Sequence, residues 1–233
     1  MLSSYVKKLN SVRLLRGDRA GDAAARAKGY KESDGEYIAF LDSDNYWCPN
    51  KVQTHIDIWK SARNIGLSWD LCQQFRTTAS SSFLSGNLSE IEQMGVFPVP
   101  YHHSGIIKSI HLQTELWFSC IIQMSTGFTS REVIESVGGC PEVAPFDYLL
   151  WLRISQLYDA YFVNVIMTYF DVSGKRLGGN KQILLREQRN CLIPRMRTLR
   201  RGPLNVLGPR VFFRRLVLLC FKGLKMLVCP LKP

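Results

Sequence analysis

Two aspartates spaced one residue apart, Asp42 and Asp44, close a short apolar run from Tyr37 to Leu41. Tyr37, Ile38, Phe40 and Leu41 favour extended backbone, and the run has the length of a buried strand. Carboxylates at the C-terminal end of such a strand stand where open α/β sheets bind ligands. In a locally extended stretch residues i and i+2 point the same way, so Asp42 and Asp44 are expected to converge, with Ser43 turned aside. Two hard oxygen donors suit Mg²⁺ or Mn²⁺, which keeps waters and takes phosphate oxygens as further ligands. The plainer reading is a turn, or a cap on the helix that Pro49 fits as a first residue. A third acid, Asp147, opens another helical stretch. There the local N–H groups and the helix dipole hold it ionised, either as a cap or as a general base.

The elements that must position these acids alternate between helix and strand, which places the chain in the α/β class. Arg19 to Ser33 reads as an alanine-rich helix broken near Gly35, and Val52, Ile56 and Trp59 recur at helical spacing through Ala62. Gly66–Cys72 and Ile121–Met124 read as strands, Arg131–Val137 as a short helix, Asp147–Leu157 as a helix, and Tyr161–Thr168 as the last strand. Thr77 to Tyr101 is rich in Ser and Gly and contains Pro98 and Pro100, so a long loop over the site is expected.

A chain of 233 residues buries a sizeable core, and 46% apolar with 21% charged residues excludes wholesale disorder. No stretch approaches the roughly 18 uninterrupted apolar residues of a membrane span. Met1 to Lys8 lacks the apolar run of a secretory leader, and seven cysteines without CxxC pairing fit reduced thiols in a cytoplasmic setting. The net charge of +11 is uneven: Gly174 to Pro233 holds 15 Lys or Arg against Glu187 alone, while the remainder carries 15 basic and 18 acidic residues. Such clustering points to a polyanionic partner. Between Val211 and Val228, Arg214, Arg215, Lys222 and Lys225 interleave with apolar residues. That pattern suits either an interfacial helix on the cytoplasmic membrane face or a terminal helix packed on the domain. Nucleic acid is the weaker candidate: Arg195 to Arg201 can meet phosphates, but no recognition motif accompanies it.

GEYIAFLDSDNYW, followed by Pro49 and Lys51, resembles the core of family 2 glycosyltransferases. Gly21-Asp22-Ala23-Ala24-Ala25-Arg26-Ala27-Lys28-Gly29 is similar to the family's G-x-A-x-A-R-N-x-G helix, and Val137-Gly138-Gly139-Cys140-Pro141-Glu142 to its VGGFDE turn. Asp147-Tyr148-Leu149-Leu150-Trp151-Leu152-Arg153 resembles its ED-Y-x-L-W-L-R helix. The order and spacing agree from Gly17 to Gly178.

The resemblance implies a GT-A-type, Rossmann-like mixed sheet flanked by helices. It also implies inverting transfer from a nucleoside diphosphate sugar to a hydroxyl of a glycan or lipid-linked saccharide. By that likeness Asp42 and Asp44 form the metal and diphosphate motif, Asp44 as direct ligand and Asp42 facing ribose or metal. Asp147 is the base, Arg26 and Trp47 lie on the donor side, and Arg153 meets a diphosphate or pairs with a core acid. The chain departs from the pattern at Phe146, where relatives carry glutamate, and at Tyr169–Val172, where a metal-binding histidine is replaced at best by Asp171. Nothing before Arg16 resembles the family's first strands and DDGS-like sequence, so the fold is expected to be N-terminally incomplete by roughly 60 to 70 residues, the scale of two βα units. The domain reading is 1–200 for the partial GT-A-like domain and 201–233 for a basic amphipathic extension. The rival reading is a non-catalytic remnant that binds a membrane or partner through its basic tail.

Overall fold

The computed structural model describes residues 11–17, 21–77, 91–172, 181–198, 204 and 206–215. Helix α1, Asp22–Glu32, starts after Gly21, whose φ of 95° suits a residue without a side chain. Its alanines favour helix, and Ala23, Ala27 and Tyr30 form the buried stripe. Strand β1, Tyr37–Ala39, leads to the aspartates, and β2, Asn45–Trp47, follows them. Helix α2 spans Lys51–Ser61. Pro49 precedes this helix instead of opening it, because the Cys48 N–H is tied to the Met167 carbonyl at 2.9 Å and residues 49 and 50 make a turn.

Two long strands carry the sheet, β3 at Ile65–Thr77 and β7 at Asp159–Asp171. They run parallel from Ile65↔Asp159 to Phe75↔Asp171, with register shifts around Asp70 and Leu71. Each meets different partners along its length. The first half of β3 pairs with β6, Gly127–Ser130, and its second half with β4, Ile91–Val96. The first half of β7 pairs with β5, Gly105–Ile107, and its last residues with β2. The sheet order is β1-β6-β3-β7-β2, with all pairs but β3–β7 antiparallel. Thus part of the expected 77–101 loop is strand, and residues 78–90 of it lie outside the described residues. Ile121–Met124 is no strand. It leads into a 3₁₀ turn, Met124–Thr126, because the chain must bend there to enter β6.

Helix α3, Ser109–Phe118, was not marked by any pattern in the sequence, whereas α4, Arg131–Ser136, begins as expected with the Ser130 hydroxyl accepting from the Val133 N–H. Helix α5, Phe146–Ile154, is apolar on nearly all sides and lies in the core. Trp151 packs so closely on Gly127 that a Cβ there would stand 2.5 Å from the indole ring. Helix α6, Lys181–Thr198, and a last helix α7, residues 206–215, complete the described chain. Phe212 is buried between Trp117 and Phe118 of α3, so the first part of the basic extension is seated on the domain. Most of the 211–228 segment lies outside the described residues.

Candidate active site

Beyond β1 the chain passes Leu41 and Asp42 and then turns, the Asn45 N–H donating to the Asp42 carbonyl at 3.0 Å. Ser43 and Asp44 therefore lie in a bend, not in the extended stretch that their spacing suggested. The cause is a residue 80 positions away from Asn45. Ser125 Oγ accepts from the Asp42 N–H at 3.1 Å and from Asn45 Nδ2 at 2.8 Å, and the Ser125 carbonyl accepts from Trp47 Nε1 at 2.7 Å. The 3₁₀ turn thus holds the acidic turn at three points.

The two carboxylates have different surroundings. Asp42 is half-buried, and its Oδ1 receives Arg26 at 2.6 Å, while the same guanidinium holds Asp22 at 2.6 Å. Burial pulls the Arg26 pKa down, but bonding and charge from Asp42 and Asp22 outweigh it and leave the group above its ordinary value. Asp44 is exposed. The turn thus offers one exposed carboxylate, Asp44, and one half-buried carboxylate, Asp42, already paired with arginine. Oxygen donors of this kind are compatible with Mg²⁺ or Mn²⁺, which takes one or two carboxylates and completes its shell with phosphate oxygens and water.

Asp147 lies in the first turn of α5, with Pro145 in the cap position, and its Oδ1 accepts from the Tyr148 N–H at 2.8 Å. Desolvation pushes its carboxyl above the usual range, the Tyr148 N–H and the charge of Arg26 oppose that, and Asp42 adds to it. Asp147, Arg26 and Asp42 therefore share one electrostatic neighbourhood, although α1, the acidic turn and α5 are far apart in sequence. Phe146, only 1% exposed, occupies the place expected for an acid. Its ring lies 5.7 Å from the Arg26 guanidinium and packs edge-on to Phe40 at 5.1 Å. Next to β1, a cleft of about 310 Å³ is lined by residues that include Arg26, Tyr30, Tyr37, Ile38, Phe40 and Leu41.

The other residues have partners of their own or lie exposed. Trp47 is fixed to Ser125 and covers Lys51 Nζ at 5.4 Å, a framework position. Among the described residues Arg153 forms no ion pair; it donates to the Gly139 carbonyl at 3.2 Å, bracing the Gly138–Gly139 turn. His102 and His103 are exposed. Asp171 follows Phe170, the partner of Asn45 in the β2–β7 ladder, yet among the described residues no three His, Cys, Asp or Glu side chains gather into a metal cage.

Beneath the turn lies a buried network that the sequence reading did not identify. Asp70 Oδ2 accepts from Lys51 Nζ and from His55 Nε2, the latter at 3.1 Å, and Oδ1 accepts from Thr168 Oγ1 at 2.7 Å. His55 Nδ1 meets Ser68 Oγ at 2.7 Å, and that oxygen accepts from Trp59 Nε1 at 3.0 Å. Lys51, His55, Ser68 and Thr168 are wholly buried. Burial lowers the Lys51 and His55 pKa values, against the pull of Asp70, so the imidazole is neutral. Its Nε2–H then donates to Asp70 and its Nδ1 accepts from Ser68, which leaves each group satisfied. Lys51 also donates to the Thr126 carbonyl at 3.0 Å, linking the network to the 3₁₀ turn that holds the acids. One signal was available: Asp70 is an acid inside the apolar run Gly66–Cys72, and a buried acid requires partners.

The sequence profile of glycosyl transferase family 2 matches residues 1–112. A UDP-Glc:alpha-D-GlcNAc-diphosphoundecaprenol beta-1,3-glucosyltransferase, WfaP of Escherichia coli, is 28% identical over 179 residues, covering 74% of this chain and 60% of the relative. An uncharacterized glycosyltransferase of Nostoc sp. is 26% identical over 149 residues, 64% of this chain and 41% of the relative. The chain thus spans less than two thirds of the length of these relatives. Among solved structures, S. aureus TarS 1-349 superposes with a TM-score of 0.51 at 14% identity, over 73% of this chain and 46% of that one. The mannosyltransferase PcManGT of Pyrobaculum calidifontis, in complex with GDP-Man and Mn2+, gives 0.50 at 14% identity, over 95% and 61%. At that identity the likeness establishes the fold: a GT-A-type mixed α/β sheet flanked by helices.

Proposed function

We propose that the chain, whose residues 1–112 match glycosyl transferase family 2, is a transferase of that family and carries its acid-bearing part. The donor is a nucleoside diphosphate sugar and the acceptor a hydroxyl of a glycan or lipid-linked saccharide. The observation that carries this reading is the Arg26–Asp42 ion pair with Asp147 in the same electrostatic neighbourhood and the exposed Asp44 two residues on, Arg26 also lining the cleft next to β1.

In this reading Asp44 and Asp42 would hold Mn²⁺ or Mg²⁺, whose charge would neutralise a departing diphosphate. Asp147 accepts the proton of the acceptor hydroxyl, and inversion follows from a single displacement with this one base. Desolvation suits Asp147 to the task, because a carboxylate of raised pKa takes a proton more readily. Arg26 orients Asp42 and balances the charge between the two acids, and Trp47 fixes the turn from behind. Phe146 fills the space under Arg26 that an acid would otherwise share, so Arg26 answers to Asp42 and Asp22. The same replacement is what favours the rival reading, a remnant that has lost one acidic contact.

Thermal stability with Mn²⁺ and a panel of nucleoside diphosphate sugars tests the proposal, with Asp44→Ala alongside. A metal-dependent rise in Tm with one donor, absent in the variant, is the expected outcome and names the nucleotide. A cooperatively folded chain that responds to no donor would sink the catalytic reading for this chain by itself.

A further inference from the structure

Helix α6 is locked in rotation by its inner side. Cys191 is 1% exposed, Asn190 Nδ2 donates to the Ala144 carbonyl at 2.7 Å, and Arg195 Nε donates to Tyr148 Oη at 2.9 Å. Trp117 Nε1 adds a bond to the Arg195 carbonyl at 3.0 Å. With that side fixed, Arg189, Leu192, Ile193, Met196 and Arg197 fall on the outer side at the i, i+3, i+4, i+7, i+8 spacing of one helical face. Leu192, Ile193 and Met196 are 56%, 65% and 53% exposed. A helix of this kind ordinarily turns that face inward. Its neighbour α7 repeats the pattern: Phe212 anchors it on Trp117 and Phe118, while Val211 and Phe213 are exposed between Arg210 and Arg214.

We infer that this outward face of α6, extended by α7, is a docking surface for an anionic lipid bilayer. Charge selects the occupant. Residues 181–215 contain 10 Lys or Arg and one acid, Glu187, so the exposed aliphatic and phenyl groups are framed by arginines. Apolar side chains among clustered cations are what an interface of acyl chains and anionic headgroups complements. The inference does not depend on the transferase reading. It complements that reading, because α6 packs on α5, whose first turn carries Asp147, and the acceptor of a lipid-linked sugar would arrive on that side.

The test is flotation of the full chain with phosphatidylcholine vesicles, with and without about one third phosphatidylglycerol. Two double variants are compared, Ile193→Glu/Met196→Glu and Arg189→Glu/Arg197→Glu, both on the exposed face. Binding is expected only to the anionic vesicles, weakening as salt rises, and falling about tenfold or more in each variant while Tm is kept. The surface is not a membrane contact if wild type floats with neither vesicle. Undiminished flotation of both variants would assign binding to residues after 215 and overturn the inference. A dimer in sedimentation velocity that Ile193→Glu/Met196→Glu dissolves, without vesicle binding by wild type, would assign the face to a second copy.

Discussion

Two helices of this chain have their polarity reversed, in opposite senses. Helix α2 buries Lys51 and His55 completely and leaves Val52 42% exposed, whereas α6 turns Leu192, Ile193 and Met196 to solvent. The difference between them is satisfaction. On α2 the buried charge finds a carboxylate, a carbonyl and two hydroxyl groups within the fold, so the inversion is closed and needs nothing from outside. On α6 the described chain covers none of the three exposed side chains, and the inversion stays open. A reversed polarity that is internally paired is part of the architecture, and one that is not calls for a partner.

The largest expected effect breaks the closed side of this contrast. Asp70→Ala leaves Lys51 as an unpaired buried cation and should cost about 3–5 kcal/mol in urea denaturation. Lys51→Met combined with Asp70→Leu should cost much less than the two single changes summed, since an apolar replacement removes both charges at once. Additive losses would mean that the pair is not coupled as its geometry indicates.

Asp147 sharpens the comparison from the active side, being a half-buried charge that is incompletely paired. Asp147→Asn should reduce transfer by about 10²–10⁴-fold as the loss of a general base. It should also raise Tm at neutral pH. The sign follows from the raised pKa in the folded state: the protonated acid is favoured by folding, so stability is present at low pH and lost as pH rises through the folded value. The variant's advantage should therefore shrink as the solution is acidified towards the ordinary value of 3.8, and an advantage that grows on acidification would refute the assignment. The smallest expected effect belongs to α6, where Ile193→Glu should change unfolding free energy by no more than about 0.5 kcal/mol. A larger loss would show that the stripe is packed in solution after all.

How much of this was legible beforehand divides along the same line. β1, α1, α5 and the long strands were visible because each is a run whose periodicity or composition declares it locally. The shape of the acidic turn was not, since it is imposed by Ser125 from another element, and a serine in a loop carries no mark of that role. β2 and β5 have three residues each, too few for a pattern, and β4 lies in a stretch whose Ser and Gly content reads as loop. Asp42 and Asp44 were singled out by their place after an apolar run and their spacing, whereas Arg26 and the role of Asp147 as base were read from the resemblance. That Asp42, Arg26 and Asp147 meet was not deducible from spacing, and neither was the network behind them, because Asp70 on β3 and Thr168 on β7 come from elements other than the helix that carries Lys51 and His55.

The acidic turn joins the strands at the two ends of the sheet order, β1 and β2. Among the described residues β1 is bonded to β6 alone, while β3 and β7 are bonded on both sides. In amide hydrogen exchange the middle of the sheet should open only with global unfolding, and Tyr37–Ala39 should exchange by local fraying at far lower free energy. The piece of backbone that aims the acids is thus among those with the least cooperative insurance, and its order is set by whatever lies against it.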